Sequence, residues 1–444
     1  MKRIMNRRFV YGFAIVALGV NLIFGAGVYV YSAHASQKDD PYENYKLLAD
    51  VLEKVRQEYV DGEKLTYQDL IHGALKGMLN SLDPHSEYMD PEKFEELKND
   101  TEGEFGGLGI IVQVNKDKLL TVVQPMEDTP GYRAGIMPQD QILKIGDRST
   151  AHYDLEEAVK LLRGAPGTPV TITARRPSTG VTKDYKLERA IIKVDTVKDI
   201  NDKRYYPLGE NGIGYVRILQ FGEKTSDDLD QALKKLTDEG MKALILDLRG
   251  NPGGLLEQAG QVCEKFLPKN QLIVSTEGRG PTPRTEYRAA GHGKRIDLPM
   301  VVLVNGNSAS ASEIVAGCLQ DLQPITHAIV VGEQTFGKGS VQSILPLADG
   351  SALRLTTAKY YTPSHKVIHE HGITPDIVVP MAPEQEVDLA YRHMPGAVDL
   401  LDAKDRDRIE HVRDLQLERA EDLLKGVLLY SQSRQTPSRV AAAK

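Results

Sequence analysis

The sequence predicts a mostly parallel α/β core, a smaller β-rich module ahead of it, and helical segments at both ends. Three observations lead there. From Asn211 to about Pro380, strand-like apolar runs alternate with amphipathic helix-like runs, the pattern of a parallel sheet covered by helices. From Gly103 to about residue 192 the apolar runs are short and broken by glycine, as in a compact β-rich fold. The chain has 444 residues, enough for two to four domains at about 100–200 residues each.

The amino terminus stands apart. Lys2, Arg3, Arg7 and Arg8 precede a stretch from Phe9 to Gln37 with no charged residue. The whole chain carries a net charge of −7, so the remainder, with 51 basic against 62 acidic residues, carries −11 and is a poor non-specific binder of nucleic acid. An apolar run from Phe9 to about Ala33 exceeds the ~7–15 residues of a signal-peptide core and reaches the roughly 20 that a membrane helix needs. A signal-anchor or transmembrane helix is therefore expected, with the basic end in the cytoplasm. Ala33-His34-Ala35 also fits a small-x-small cleavage site, and cutting there would release the rest. In both cases residues 38–444 are expected outside the cytoplasm, on the periplasmic or cell-surface side.

After a polar linker, Leu48, Val51, Leu52, Val55 and Tyr59 share one helical face, which predicts a helix over Tyr45–Tyr59. A second helix is expected over Tyr67–Leu82, ended by Asp83-Pro84, and a third over Pro91–Lys98. In the β-rich module, strands are expected at Leu119–Val123, Gln141–Ile145 and Val170–Thr173, with a capping-box helix beginning at Asp154 and running through Leu162. In the core, Gly214–Leu219, Ala243–Asp247, Pro299–Asn305, Ile329–Val331 and Ala352–Tyr361 read as strands. Thr225–Glu239, Leu255–Phe266 and Ser308–Leu319 read as the helices between them. From Glu384 the chain is charged and helical, with a polar tail after Tyr430. Cys263 and Cys318, the only cysteines, lie in apolar helical contexts and are expected as buried thiols.

Three loops follow predicted strands, where ligands bind in α/β sheets. Arg249-Gly-Asn-Pro-Gly-Gly254 exposes backbone N–H groups before a helix and could hold an oxyanion; it could equally be a tight turn. Asn307-Ser-Ala-Ser-Ala-Ser-Glu313 places three serines among small residues at a helix start. Ser310 could be a nucleophile beside free N–H groups, or with Glu313 an ordinary capping box. Gly332 to Ser340 nearly spells a phosphate-binding P-loop, but Gly339 stands where the magnesium-binding hydroxyl belongs, and Val341 onwards alternates rather than opening a helix. What remains is Lys338 on a glycine-rich loop, able to act as a base if burial lowers its pKa. No GxSxG elbow exists. His369-Glu370-His371 is not HExxH and reads as a solvated turn, and no metal site is indicated.

Taken together, these residues resemble the C-terminal processing peptidases, or tail-specific proteases, of the serine-lysine type. The resemblance covers most of residues 45–430. It rests on Asp83-Pro-His-Ser-x-Tyr88, Gly107-Leu-Gly-Ile110, Leu246-Asp-Leu-Arg-Gly-Asn-Pro-Gly-Gly254, Ser308-Ala-Ser-Ala-Ser-Glu313, Gly332-Glu-x-Thr-Phe-Gly-Lys-Gly339 with Gln342, and Gly372-Ile-Thr-Pro-Asp376.

It implies a crotonase-like protease core over 193–382 with a PDZ domain inserted at 103–192. An N-terminal helical segment over 38–102, a C-terminal one over 383–444, and the anchor over 1–37 complete the expected organisation. The nucleophile falls on Ser310, the general base on Lys338, and the residue that positions the lysine on Gln342. The oxyanion donors would be the N–H groups of Ala311 and of Gly253, taken in preference to Gly254. In the PDZ domain, Leu108, Gly109 and Ile110 would receive a C-terminal carboxylate while the peptide adds as a strand. Arg163 is a candidate link between that domain and the active site, or simply a charge at a helix end.

The implied activity is a serine endopeptidase that takes extracytoplasmic proteins by their exposed, unstructured C-termini and forms an acyl-enzyme, with no metal or nucleotide cofactor. The rival reading is a catalytically silent PDZ scaffold at the membrane. The C-terminal helices could pair protomers or pack on their own core.

Overall fold

A computed structural model of the chain describes residues 41–435, apart from 116–117, 127, 152, 280–283, 292–294, 394–397, 399–400 and 402. The expected anchor helix lies outside the described residues. Among those described, no helix is long and apolar enough to cross a membrane.

The first compact unit ends at Ser81. It holds helix α1 (Pro41–Glu58) and helix α2 (Tyr67–Asn80). Thr66 caps α2 reciprocally with Asp69, so two of its orphan N–H groups are satisfied at the start.

The second unit runs from Leu82. Strand β1 (Glu87–Met89) leads into helix α3 (Pro91–Glu102), which extends four residues beyond the expected Lys98. Strand β2 (Glu104–Gly107) pairs antiparallel with β9 (Ala190–Lys193), so the module between them enters and leaves through one two-stranded neck. The module's sheet has β3 (Ile110–Val114), β4 (Leu120–Pro125), β5 (Gln141–Ile145), β7 (Pro169–Arg175) and β8 (Thr182–Glu188) in that spatial order, with the short β6 (Arg148–Ser149) on β5. All its pairings are antiparallel. The one-turn α4 (Pro130–Arg133) and helix α5 (Leu155–Leu162) pack on it, and Ile142, Ile172, Val122 and Leu162 form a core of their own. Asp154 and Glu157 cap α5 reciprocally.

The core sheet is ordered β10 (Val197–Lys198), β11 (Ile213–Ile218), β12 (Ala243–Asp247), β15 (Met300–Val304), β16 (Ala328–Gly332), β19 (Ile377–Val378). Every pairing after β10–β11 is parallel. Strands β12 and β15 are buried at every position, which is why they read as unbroken apolar runs rather than alternation. Helices α6 (Thr225–Asp238), α7 (Leu256–Glu264) and α8 (Ala311–Asp321) cover one face through Leu229, Val262, Cys263, Val315 and Cys318. Both cysteines are buried free thiols. The short α9 (Gln323–Thr326) follows, and α10 (Pro383–His393) and α11 (Ala403–Glu410) lead to α12 (Leu415–Gln435). Ala420 and Leu424 of α12 cover the other face, against Tyr215, Ile245 and Leu303, so this helix packs on its own core.

A second sheet joins β1, β18 (Ala352–Tyr361), β13 (Leu272–Gly278) and β14 (Arg284–Arg288), with β17 (Ser340–Pro346) on β18, all antiparallel. Of its strands β18 was expected from the sequence and β17 showed as alternation from Val341, whereas β14 is exposed at every position and offers no apolar pattern.

Candidate active site

The three glycine- or serine-rich loops converge at one end of the parallel sheet, each leaving the carboxyl end of a strand. Loop 249–254 follows β12, loop 305–310 follows β15, and loop 333–339 follows β16. Asn251, fully buried, ties the first two together. Its Nδ2 donates to the Ile218 carbonyl at 2.8 Å, and its own carbonyl accepts from the Ala309 N–H at 3.0 Å and the Ser312 hydroxyl at 2.9 Å. A Cβ added to Gly253 would lie 2.8 Å from the Ser310 Cβ and 3.0 Å from the Ala311 nitrogen, so only glycine allows this approach.

The three serines differ. Ser308 is fully buried, its hydroxyl donating to the Leu248 carbonyl at 2.8 Å and accepting from the Asn305 N–H at 3.0 Å. Ser312 is fully buried and committed to Asn251. Ser310 is half-buried, and its hydroxyl donates no hydrogen bond among the described residues; its oxygen only closes the capping box toward the Glu313 N–H, which also bonds the Ser310 carbonyl at 2.9 Å. Its backbone lies at φ +54° and ψ −111°, outside the helical region, so α8 begins at Ala311 and not at the expected Ser308. A non-glycine residue held there costs on the order of 1–3 kcal/mol, and such strain persists only where the surroundings fix it.

Glu313 is the fixing group. Its carboxylate accepts from the N–H groups of Ser310 (2.8 Å), Gly337 (2.7 Å) and Lys338 (2.9 Å) and from the Thr335 hydroxyl (2.6 Å). The capping reading of Glu313 thus holds for its bond to the Ser310 N–H and misses the other three. Burial nevertheless pushes its carboxyl above the usual carboxylate range, against those four donors. Thr335 and Gly337 are pinned inward on either side of Phe336, which projects at 63 % exposure.

Lys338 is half-buried, and its amine has no hydrogen bond or ion pair among the described residues. Burial lowers its pKa, the Arg354 charge lowers it further, and Glu313 opposes both. Arg354 is fixed by Glu87 at 2.7 Å and by the His85 carbonyl at 3.2 Å. His85 in turn has its pKa lowered by burial and by Lys338. The turn at His369–His371 is not merely solvated. The Glu370 N–H donates to the Gly337 carbonyl at 2.8 Å, and a Cβ on Gly339 would lie 2.1 Å from the His369 nitrogen, so this turn backs the lysine loop. Among the described residues, no cluster of His, Cys, Asp or Glu is arranged to hold a metal ion.

The backbones of Ser310 and Lys338 are brought together by Glu313, but the serine hydroxyl and lysine amine are not hydrogen-bonded to each other. Gln342, on β17, donates to the Ser340 hydroxyl at 2.9 Å and the Thr356 hydroxyl at 3.4 Å, and not to Lys338. The expected Gly253 donor is also engaged, its N–H donating to Asn251 Oδ1 at 2.9 Å. The N–H of Gly254 has no partner among the described residues, and the N–H of Ala311, at the first position of α8, has no intrahelical acceptor. The Ala311 N–H is thus a free donor next to the serine, and the Gly254 N–H is free one residue beyond Gly253, whose backbone lies against Ser310.

In the module, Leu108 and Gly109 are buried, and their N–H groups have no partner among the described residues. Their carbonyls are taken, by the N–H of Gly131 at 2.8 Å and of Met126 at 2.8 Å. Ile110 begins β3. The Arg163 guanidinium lies 4.5 Å over the Phe105 ring, on the strand that enters the module.

Asn251, Glu313 in its bridging role and Arg249 were the residues that sequence reading missed as parts of the site. Asn251 and Arg249 sit inside the quoted glycine-rich motif, but nothing in the string shows which atoms their side chains reach.

Comparison with known proteins matches three stretches of the chain. The peptidase family S41 model matches residues 212–379, a PDZ domain model matches 121–176, and a model described as the activating protease CtpB N-terminal domain matches 27–93. A carboxy-terminal-processing protease of Bartonella bacilliformis is 45% identical over 382 residues, covering 84% of this chain and 83% of that protein. The carboxy-terminal processing protease CtpB of Bacillus subtilis is 34% identical, covering 82% and 77%. A carboxyl-terminal-processing protease of a Picosynechococcus strain is 37% identical, covering 78% and 82%. The chain therefore belongs to peptidase family S41, as a serine-type peptidase of the carboxy-terminal processing kind that carries a PDZ domain.

Proposed function

We propose that this peptidase is an extracytoplasmic endopeptidase that captures unstructured C-terminal tails in its PDZ domain and cleaves through a Ser310–Lys338 dyad. The observation that carries the assignment is the contrast among the three serines. Two hydroxyls are buried and spent on backbone groups, and the third, on a strained residue beside free N–H donors, is available. The lysine supports it, since a pKa lowered by burial and by Arg354 is what a neutral amine base requires.

In this mechanism Ser310 Oγ attacks the scissile carbonyl carbon while Lys338 Nζ takes the hydroxyl proton. The oxyanion is received by the N–H of Ala311 and that of Gly254, and Gly253 joins only if Asn251 releases it. The proton passes from Lys338 to the leaving amine, and water then hydrolyses the ester by the same steps. Gln342 positions the amine once it exchanges its bond to Ser340. The free N–H groups of Leu108 and Gly109, with that of Ile110, hold the substrate's terminal carboxylate beside β3. The uncharged segment before Lys38 supports a location outside the cytoplasm, tethered or released.

The test is mass-spectrometric mapping of products from a substrate with an exposed apolar tail. Ser310→Ala and Lys338→Ala should each abolish cleavage while the chain stays folded. Full activity in Ser310→Ala with loss in Ser308→Ala would show the wrong serine has been chosen.

A further inference from the structure

Behind the oxyanion loop lies a polar assembly that the reaction chemistry does not use. Arg249, the first residue of that loop, is 11 % exposed and has every arm occupied. It pairs with Asp247 at 2.6 Å and with both carboxylate oxygens of Asp414, at 2.8 and 2.9 Å. Its Nη1 also donates to Gln416 Oε1 at 3.2 Å. Asp247 accepts in addition from the Tyr215 hydroxyl at 2.7 Å. Burial opposes its ionisation, but the charge and hydrogen bonds of Arg249 prevail and hold it at about 2. Asp414 also accepts from the Leu417 N–H at 3.0 Å, so one carboxylate starts α12 and grips Arg249.

A second tie comes from α10. The Gly250 N–H donates to Asn305 Oδ1 at 2.9 Å, and Asn305 Nδ2 donates to Glu386 at 3.2 Å. The two ties line a cavity of about 130 Å³ behind the loop, bounded by Arg217, Met381 and Leu389. The far end of the same six-residue loop is the Gly253 backbone lying against Ser310 and Ala311.

We propose that the C-terminal helical segment positions the oxyanion loop, and that Asp414, acting through Arg249, is a positioning residue for acyl transfer. The inference rests on the serine reading above and adds a dependence on residues more than 100 positions beyond Ser310. The ion pair contributes geometry rather than stability. A buried ion pair adds little net stability over apolar packing, since desolvation offsets its attraction. What it does supply is a fixed direction, and oxyanion donors must sit within about 2.7–3.1 Å of the developing charge, where a 1 Å error costs on the order of a hundredfold. Ala420 and Leu424 already dock α12 on the sheet, which leaves the Asp414 and Gln416 contacts free to serve the loop.

Asp414→Asn in the full-length chain separates the two roles, because asparagine caps helices as well as aspartate. The expected result is a fall in kcat of about tenfold or more, consistent with misplaced oxyanion donors. KM and the affinity for a tail peptide should stay within about twofold, and amide exchange of residues 249–254 should rise by about tenfold as the loop loosens. Gln416→Ala, which leaves the ion pair intact, should show the same split at smaller size. Unchanged kcat and exchange in both variants would overturn the proposal. So would a loss of activity matched by lost tail-peptide binding and a lowered melting point, since that is general unfolding. If the unmodified chain proves unable to cleave, the serine reading fails by itself, and loop exchange alone decides the role of Asp414.

Discussion

One oxygen of Glu313, Oε2, accepts both the Ser310 N–H at 2.8 Å and the Lys338 N–H at 2.9 Å. The strained backbone of Ser310 and the loop that carries Lys338 thus share a single acceptor, while Oε1 takes Thr335 and Gly337. Replacing Glu313 by glutamine puts an NH₂ group where two donors already point. At least two buried donors then lack an acceptor, at about 1–3 kcal/mol each. Glu313→Gln is expected to lower the melting temperature and to reduce kcat/KM by more than tenfold. Steady-state kinetics with thermal unfolding checks both.

The serines should dissociate cleanly. Ser308→Ala leaves the Leu248 carbonyl and the Asn305 N–H without their buried partner and should cost about 1–3 kcal/mol while retaining cleavage. Ser310→Ala removes only the capping contact of its oxygen with the Glu313 N–H, which keeps its bond to the Ser310 carbonyl, so stability should fall by no more than about 1 kcal/mol while turnover vanishes. Urea unfolding midpoints beside product mapping would read the pair, and a large stability loss in Ser310→Ala would contradict it.

This contrast marks how far the sequence could be read. Strands β12 and β15 and helix α6 were legible because burial on one or both faces writes itself into apolar runs and spacing. Ser310 and Lys338 were singled out through motif order, and their backbones meet on one carboxylate oxygen. The strain at Ser310 was not legible, since what holds it is tertiary: Asn251 grips Ala309 and Ser312 on either side, and Glu313 is itself anchored to Thr335, Gly337 and Lys338. The same holds for the second sheet: exposed Arg284–Arg288 becomes a strand only because Leu272–Gly278 is available to pair with it. Nor does the string show that the Gly253 N–H bonds a side chain two residues earlier.

Lys338 gives the pH dependence its sign. Burial and Arg354 lower its pKa, so the amine is neutral, and able to act as a base, over a wider range than an ordinary lysine. Activity should rise with pH along an acid limb that lies below the usual lysine range. Arg354→Gln removes a repelling charge and should move that limb to higher pH, whereas a limb unmoved by this change would discount Arg354 as a cause. Between the folded and unfolded pKa values the unfolded chain binds the proton more readily, so this group makes stability rise with pH across that window. Below the window its cost is fully present, and Lys338→Met should raise the melting temperature at neutral pH while abolishing cleavage.

Tail capture can be tested at Gly109 apart from the chemistry. Gly109 sits at φ +66°, and a Cβ there would lie 2.3 Å from the Thr129 side chain. Thr129 cannot readily retreat, because its hydroxyl lies between two carbonyl acceptors, Met126 at 2.6 Å and Gly109 at 3.0 Å. An alanine at 109 therefore turns the peptide plane that presents the free N–H groups, adding about 1–2 kcal/mol of left-handed strain. Lost charge-assisted bonds to a carboxylate are worth about 1.5–3 kcal/mol, or roughly a ten- to hundredfold rise in KM for a tail-bearing substrate. Turnover at saturation should stay within about threefold, since no group around Ser310 is altered. A C-terminally amidated substrate offers the same deletion from the other side. It should bind the unmodified enzyme about as weakly as the free acid binds Gly109→Ala, and the two defects should not add. An amidated tail that binds as tightly as the free acid would remove the carboxylate, and with it Leu108 and Gly109, from recognition.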